Sequence, residues 1–256
     1  MAGRLALILL GFIISLLHSS AFNSSVLMKD YPTPFTKNNR VLGCLLAFNF
    51  QHIDPIIVTL NEYTSMCEAG WDPTMVFFTA VEWSDALIRY LKQKSYCYRL
   101  GRPINIVISQ HSPSIGTGLS GEHRAYMAKV LNEYDVFVYH EDDIMFKLSH
   151  LVAYLHETKL FHELVPENGL WEHTIGFQRY RRINRGNDFN MPYGERDIFE
   201  QELLEETPEF VPVCVKDKPY IHVQGNIHQA MWVFTRQQVI MLQERCSFLN
   251  QSSASR

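Results

Sequence analysis

The sequence lacks several patterns that would place it in a specialised class of proteins. No segment repeats along its 256 residues. Its longest mainly apolar run, residues 5–17, is shorter than the roughly 20 residues that a membrane-spanning helix needs. The five cysteines include no C-x-x-C pair, which argues against a zinc site. With a net charge of −4 and a pI near 6.3, we expect no nucleic-acid partner, the basic run at residues 179–185 being a local exception.

The first residues have the order of a secretory signal peptide. Arg4 precedes the apolar run, and small residues follow at positions 19–21. We expect residues 1–21 to be either a cleaved signal peptide or a short signal anchor in the membrane, followed by a stem or lead-in at residues 22–40. In either case the folded part faces the lumen of the endoplasmic reticulum or Golgi, or the exterior.

Sequons and cysteines agree with a secretory location. N-glycosylation sequons begin at Asn23 and Asn250, one near each end of the chain. In an oxidising compartment we expect one or two disulfides. Cys44 lies in an apolar run, so we expect it to remain a buried thiol.

Apolar runs alternate with helical patterns through the first half of the chain. Buried strands are predicted at residues 41–48, 74–79, 104–109 and 135–140. Helices are predicted at residues 54–70, 84–94 and 122–133, and from residue 148 onward. This alternation predicts an α/β fold with a mostly parallel, doubly wound sheet and helices on both faces.

The second half is more irregular. Short strands are predicted at residues 173–180, 211–215, 220–223 and 230–234, a short helix at 197–206, and a last helix that opens with a capping box at Thr235–Gln238.

Three consecutive carboxylates, Glu141, Asp142 and Asp143, end the fourth predicted strand. Open α/β sheets bind ligands at the carboxyl ends of their strands. Hard oxygen ligands gathered at one point suit Mg²⁺ or Mn²⁺, and such a cation suits a diphosphate. The alternative is an acidic helix start, because Asp is favoured at an N-cap and in the first turn.

The order of these parts resembles a glycosyltransferase of the GT-A fold, in which a βαβαβ unit holds a nucleotide-sugar and an acidic motif ends the fourth strand. Residues 140–143 and 225–232 also resemble a poorly characterised eukaryotic group of such proteins, with Glu-Asp-Asp as a variant of the D-x-D motif. The resemblance implies one domain at residues 41–246, with a nucleotide-sugar half at 41–146 and an acceptor half at 147–246. A polar tail follows at 247–256.

The resemblance also implies roles for individual residues. Asp143 and Glu141 would hold Mn²⁺ or Mg²⁺, with Glu141 facing the ribose or a metal-bound water. A histidine near the C-terminus completes the metal shell in several members, and His228, on a predicted turn, fits this role better than His222. The residues expected at the donor are Arg124, Glu141, Asp142 and Arg181.

An inverting enzyme would also need a carboxylate base near the acceptor hydroxyl, and Glu195 and Asp197 are the candidates. A retaining enzyme would need none. Each of these residues also has a structural alternative, a solvated face for the carboxylates and for Arg181. His140 is as well explained by packing beside the strand end, and Trp232 is better explained as core.

We therefore expect a metal-dependent glycosyltransferase that moves a sugar from a nucleoside-diphosphate donor to a glycan, protein or lipid acceptor. Two other classes remain open. A luminal binding protein of the same fold would lack activity. A metal-dependent phosphoesterase would need further Asp or His ligands at several strand ends, for which His111 is the only indication.

Overall fold

The computed structural model describes residues 38–47, 53–142, 144–164, 175–176, 180–183, 198–201, 209–215, 218–224 and 231–250. All of them belong to one compact unit, Thr33–Arg256. The predicted signal segment and most of the predicted stem lie outside these residues. None of the helices that the structure describes is both long enough and apolar enough to cross a bilayer.

The strands of the described residues are β1 (Arg40–Leu46), β2 (Asp72–Thr79), β3 (Tyr96–Cys97), β4 (Arg102–Pro103), β5 (Asn105–Gln110), β6 (Val136–Glu141), β7 (Tyr180–Ile183), β8 (Ile198–Gln201), β9 (Glu209–Val215), β10 (Lys218–Gln224) and β11 (Met231–Thr235). Five of them form one sheet in the order β11-β6-β1-β2-β5. Pairing is parallel between β6, β1, β2 and β5, whereas β11 runs antiparallel to β6. The prediction of an α/β fold with a mostly parallel sheet is therefore confirmed.

The helices of the described residues are α1 (Ile53–Glu68), α2 (Asp85–Lys94), α3 (Glu122–Val130), α4 (Leu148–Leu164) and α5 (Arg236–Cys246). Two 3₁₀ segments, Pro113–Gly121 and Phe248–Asn250, precede α3 and follow α5. The predicted capping box is confirmed, because Thr235 accepts from the Gln238 amide and the Gln238 side chain accepts from the Thr235 amide.

Helices cover both faces of the central strand β1. On one face Gly43 leaves room for Tyr63 of α1, whose ring would lie 2.5 Å from any Cβ at this position. On the other face Leu42 and Cys44 pack in a cluster that includes Met127 of α3 and Val239 of α5. A strand covered on both sides has no polar face, which explains the continuous apolar run in the sequence.

The strand order reverses once within the sheet. From β1 the chain adds β2 and then β5 on one side, and it returns to place β6 on the other side of β1. The four parallel strands end at one edge of the sheet, here called the carboxyl edge, and begin at the opposite amino edge. In open α/β sheets the crevice at such a reversal, at the carboxyl edge, is where ligands bind.

Cys67, in the last turn of α1, forms a disulfide with Cys97 in β3. Cys44 is a buried thiol, and its burial raises its pKa. The prediction of one or two disulfides and of a buried Cys44 is confirmed.

The later part of the chain contains two antiparallel pairs, β7 with β8 and β9 with β10. The predicted helix at residues 197–206 is wrong for residues 198–201, which form β8. This segment begins with Ile198 and Phe199, which favour a strand. The predicted strand at 173–180 is wrong at residues 175–176, where Gly176 is a weak strand former, and β7 begins only at Tyr180.

Candidate functional site

The acidic segment lies where the strand order reverses. Glu141 is the last residue of β6, and it pairs with Leu46, the last residue of β1. Both Glu141 and Asp142 are partly exposed to solvent. The sequence prediction that carboxylates stand at the end of the fourth strand is therefore confirmed for these two residues.

The chain turns directly after β6, because the Ile144 amide donates to the Glu141 carbonyl (3.1 Å). Helix α4 begins only at Leu148, whose amide lies 3.3 Å from the Glu62 carboxylate. The amide of Lys147 donates to the His150 ring (3.3 Å). Glu141 and Asp142 thus do not cap α4, and the interpretation of these two carboxylates as a helix start is wrong.

His140 supports this end of β6 from inside the protein. Its ring is fully buried, with Nε2 lying 3.4 Å from the Tyr63 hydroxyl and Nδ1 lying 3.2 Å from the Glu141 carbonyl. It also stacks on Phe146, which follows the turn. Burial lowers the pKa of His140 to about 4, so the ring is neutral at neutral pH. His140 therefore packs beside the strand end, which is the structural role considered for it in the sequence analysis.

Helix α3 starts at the same edge, because β5 ends there and the chain next enters the Pro113–Gly121 segment and α3. Gly116 turns this segment with a φ of 53°, a value that glycine adopts without strain. Arg124, expected at the donor, lies in the first turn of α3 with its guanidinium over the Phe248 ring, 5.1 Å from the centroid. Its charge also contributes to lowering the pKa of the neighbouring His123.

His123 belongs to a cluster of aromatic rings that the sequence did not predict. Its ring stacks on Tyr139 (4.1 Å between centroids) and lies 5.4 Å from Trp232, which pairs with Tyr139 across β6 and β11. Burial is the largest cause that lowers the pKa of His123 to about 3. Trp232 packs against the core cluster, as predicted. No sequence signal distinguished His123 from the exposed polar residues of its helix.

A row of three polar side chains at the carboxyl edge joins β5 to α3. The Ser109 hydroxyl lies 2.9 Å from Nε2 of His111, and Nδ1 of His111 lies 3.8 Å from the Glu122 carboxylate. All three residues are partly exposed. The position of His111 after the third predicted strand indicated this group in the sequence. The proximity of Glu122 to His111 could not be predicted from the sequence.

The remaining predicted site residues lie outside the described residues or in the antiparallel strands β7 and β10. Asp143, Glu195, Asp197 and His228 lie outside the described residues. The backbones of Arg181 and His222 lie in β7 and β10. Within the described part of the chain, no three His, Cys, Asp or Glu side chains are close enough to hold a metal ion. The adjacent carboxylates of Glu141 and Asp142 are of the type that a hard divalent cation prefers.

No family model, no curated protein and no solved structure matches this chain. A functional assignment therefore depends on the chemistry of the carboxyl edge and on the sequence resemblance.

Proposed function

We propose that this protein is a metal-dependent glycosyltransferase of the GT-A type, which moves a sugar from a nucleoside-diphosphate donor to an acceptor in the secretory pathway. The observation that carries the proposal is the position of Glu141 and Asp142 at the carboxyl end of β6, beside β1, where the strand order reverses. The same acidic segment carries the sequence resemblance to GT-A enzymes.

The charge of this edge determines which ligands it can accept. Two adjacent carboxylates repel a diphosphate unless a cation lies between them. A divalent cation would neutralise the diphosphate and stabilise the charge that develops on the leaving group. Glu141 and Asp142 supply hard oxygen atoms for this purpose, and Asp143 and His228 are proposed as further ligands.

The remaining residues of the proposal have supporting roles. Buried and neutral, His140 holds the end of β6 without adding a positive charge that would compete with the cation. Arg124 and Arg181 are proposed to face the donor, whose phosphates they would attract. Glu195 or Asp197 would act as the base of an inverting reaction. The acceptor is a glycan, a protein or a lipid.

Thermal stabilisation by nucleotide-sugars tests this function most directly. We expect one uridine or guanosine diphosphate-sugar to raise the melting temperature in the presence of Mn²⁺ but not in the presence of a chelator. Asp143→Asn should abolish this shift while the unliganded melting temperature stays unchanged. Asp85→Asn, an exposed residue at the start of α2, is the matched control and should retain the shift.

Two outcomes would contradict the proposal. If no nucleotide-sugar stabilises the protein, the carboxyl edge binds something else, as a non-catalytic luminal protein would. If Asp143→Asn binds Mn²⁺ and nucleotide normally but unfolds more easily, the acidic segment has a structural role only.

Entry into the secretory pathway is tested separately in cells. Treatment with an N-glycosidase should reduce the apparent mass of the expressed protein, because Asn23 and Asn250 lie in sequons. Deletion of residues 1–21 should prevent this modification. A protein that stays in the cytosol with or without these residues would contradict the location.

Hydrolysis of an ester is the second candidate function, favoured by the Ser109–His111–Glu122 chain. The Ser109 hydroxyl lies within hydrogen-bond distance of the His111 ring and the Glu122 carboxylate lies 3.8 Å from the other ring nitrogen, which is the order of a nucleophile, a base and a neighbouring carboxylate. Labelling by a fluorophosphonate probe, lost in Ser109→Ala and in His111→Gln, would support hydrolysis. Absence of labelling in the folded protein would contradict it.

A further inference from the structure

A second segment of this acidic protein, besides residues 179–185, is strongly basic. Residues 86–103 contain five cations and no Asp or Glu, although the whole chain has a net charge of −4. The cations are Arg89, Lys92, Lys94, Arg99 and Arg102. Arg102 lies 4.0 Å from the Asp72 carboxylate, and Arg99 donates to backbone carbonyls. Arg89, Lys92 and Lys94 are therefore the cations that we expect to attract ligands of the opposite charge.

Exposed tyrosine rings accompany these cations. Tyr98 is 84% exposed, and Tyr90 and Tyr96 are each 41% exposed. The rings of Tyr96 and Tyr98 meet edge to face, 5.3 Å apart, and the Lys94 ammonium lies 5.5 Å from the centre of the Tyr90 ring. We call Arg89, Tyr90, Lys92, Lys94, Tyr96 and Tyr98 the Tyr98 surface.

The backbone beneath the Tyr98 surface is fixed by several contacts. The disulfide between Cys67 and Cys97 joins β3 to the end of α1. The carboxylate of Glu68 accepts from the amides of Tyr98 and Arg99. Arg99 in turn donates from Nε to the Cys67 carbonyl (2.6 Å). Glu68 and Arg99 are thus engaged within the protein, and the rings of Tyr96 and Tyr98 stand on a rigid base, which lowers the entropy cost of binding.

Helix stability explains only part of this surface. Lys92 and Lys94 lie in the last turn of α2, where cations interact favourably with the helix dipole. That effect does not account for Arg89, which precedes the last turn, or for the tyrosine rings held in solvent. Single exposed apolar residues need no explanation, but three aromatic rings within one basic segment do.

We propose that the Tyr98 surface binds an anionic polysaccharide whose sugars carry sulfate or carboxylate groups. Such a polymer presents anions to the cations and the apolar face of each sugar ring to the tyrosines. Insertion into a bilayer would use exposed Leu, Phe or Trp side chains, whereas the exposed large hydrophobic side chains of this segment are all tyrosines. The Tyr98 surface covers residues 89–98, from the middle of α2 past β3 toward the start of β5 at the amino edge, so it is separate from the carboxyl edge and does not depend on the function proposed for it.

Binding to heparin, a sulfated polysaccharide, tests the proposal on the intact protein. The triple variant Arg89→Gln/Lys92→Gln/Lys94→Gln should weaken heparin binding by about tenfold or more, and binding of the wild type should weaken as salt increases. The matched control Lys129→Gln/Lys147→Gln/Lys159→Gln removes the same charge elsewhere and should bind nearly as the wild type does.

The contribution of the aromatic rings is tested at Tyr98. Tyr98→Ala should weaken heparin binding several-fold, and Tyr98→Trp, which retains an aromatic face, should restore it. Because Tyr98 is largely exposed, both variants should keep the melting temperature of the wild type.

Other probes identify the class of ligand. Hyaluronan should bind more weakly than heparin because it carries only carboxylates, and neutral dextran should not bind. The proposal would be overturned if both triple variants lose heparin equally, or if all of the variants bind it as the wild type does. Tighter binding to vesicles of equal parts phosphatidylcholine and phosphatidylserine, or to single-stranded DNA, would also overturn it.

Discussion

The amino edge and the carboxyl edge, where the parallel strands begin and end, differ in the surroundings of their charged residues. At the amino edge Asp135, directly before β6, is almost fully buried and accepts from the amides of Asn38 (2.9 Å) and Arg40 (3.1 Å). Its other oxygen lies 2.9 Å from the Arg236 guanidinium. At the carboxyl edge Glu141 and Asp142 are partly exposed, and the buried His140 ring beside Glu141 is neutral.

If the proposed function is correct, this difference separates a stabilising end of β6 from a ligand-binding end. Charge at the amino edge is paired with backbone amides and an arginine, which connects β1, β6 and the start of α5. At the carboxyl edge Glu141 and Asp142 are partly exposed to solvent. Parallel sheets favour this division, because ligands bind at the carboxyl ends of the strands.

Acidification should have the largest effect on the free energy of unfolding, because it protonates the two buried histidines. The pKa of His140 is lowered from 6.5 to about 4, and that of His123 from 6.5 to about 3. Between pH 6.5 and the lowered pKa values, the unfolded chain binds more protons than the folded one. The free energy of unfolding is therefore highest above pH 6.5 and falls as the pH decreases toward 4. From about pH 7.5 to about pH 5 we expect a loss of roughly 2 kcal/mol per histidine.

Urea unfolding across this pH range measures the effect. His140→Gln and His123→Phe should each flatten the pH dependence, because neither replacement titrates. His156→Gln removes an exposed histidine and should leave the slope unchanged. If neither buried histidine affects the slope, their folded-state pKa values are not lowered.

At the amino edge, Asp135→Asn should destabilise the protein by about 3 kcal/mol, because it leaves the Arg236 guanidinium beside a neutral amide and weakens the bonds to two backbone amides. Urea unfolding of this variant, of Arg236→Gln and of the double variant gives the coupling between the two side chains. A loss below about 1 kcal/mol would mean that this ion pair behaves like an exposed one.

Loss of the disulfide should have an effect of about 2–4 kcal/mol, because Cys67 and Cys97 close a loop with a sequence separation of 30. Cys67→Ser/Cys97→Ser should unfold at lower urea than the wild type, and a reducing agent should shift the wild type toward the variant. Cys44→Ala, which removes a buried thiol outside the disulfide, is the control. Identical unfolding with and without reductant would contradict this prediction.

Most of the sheet could be predicted from the sequence because buried parallel strands leave continuous apolar runs. The run at residues 41–48 became β1, and Glu141 and Asp142, after the fourth run, were placed correctly at a strand end. Capping at Thr235 was also predictable, because its partner lies only three residues away. In each case the signal is local in the chain.

The parts that could not be predicted depend on residues distant in the chain. Cys67 and Cys97 were two of five cysteines, and only the fold brings them together. Asp135 could be read as the first residue of a strand, but its partner Arg236 lies about a hundred residues away. The helix predicted at 197–206, which is wrong at residues 198–201, came from an acidic composition, and this does not distinguish a helix from a short strand such as β8.

The smallest effect on stability, and the sharpest test of the comparison, comes from the same substitution at the opposite end of β6. Asp142→Asn should change the free energy of unfolding by less than about 1 kcal/mol, because Asp142 is partly exposed in the turn after the strand. In the presence of Mn²⁺ it should weaken nucleotide-sugar binding about tenfold, since an amide attracts a divalent cation less than a carboxylate does. Asp135→Asn, measured at a temperature where it is folded, should bind the nucleotide-sugar as the wild type does. Isothermal titration and urea unfolding of both variants give the two quantities for each end of the strand. If Asp142→Asn destabilises the fold as much as Asp135→Asn does, then both ends of β6 are structural, and the carboxyl edge is not a binding site.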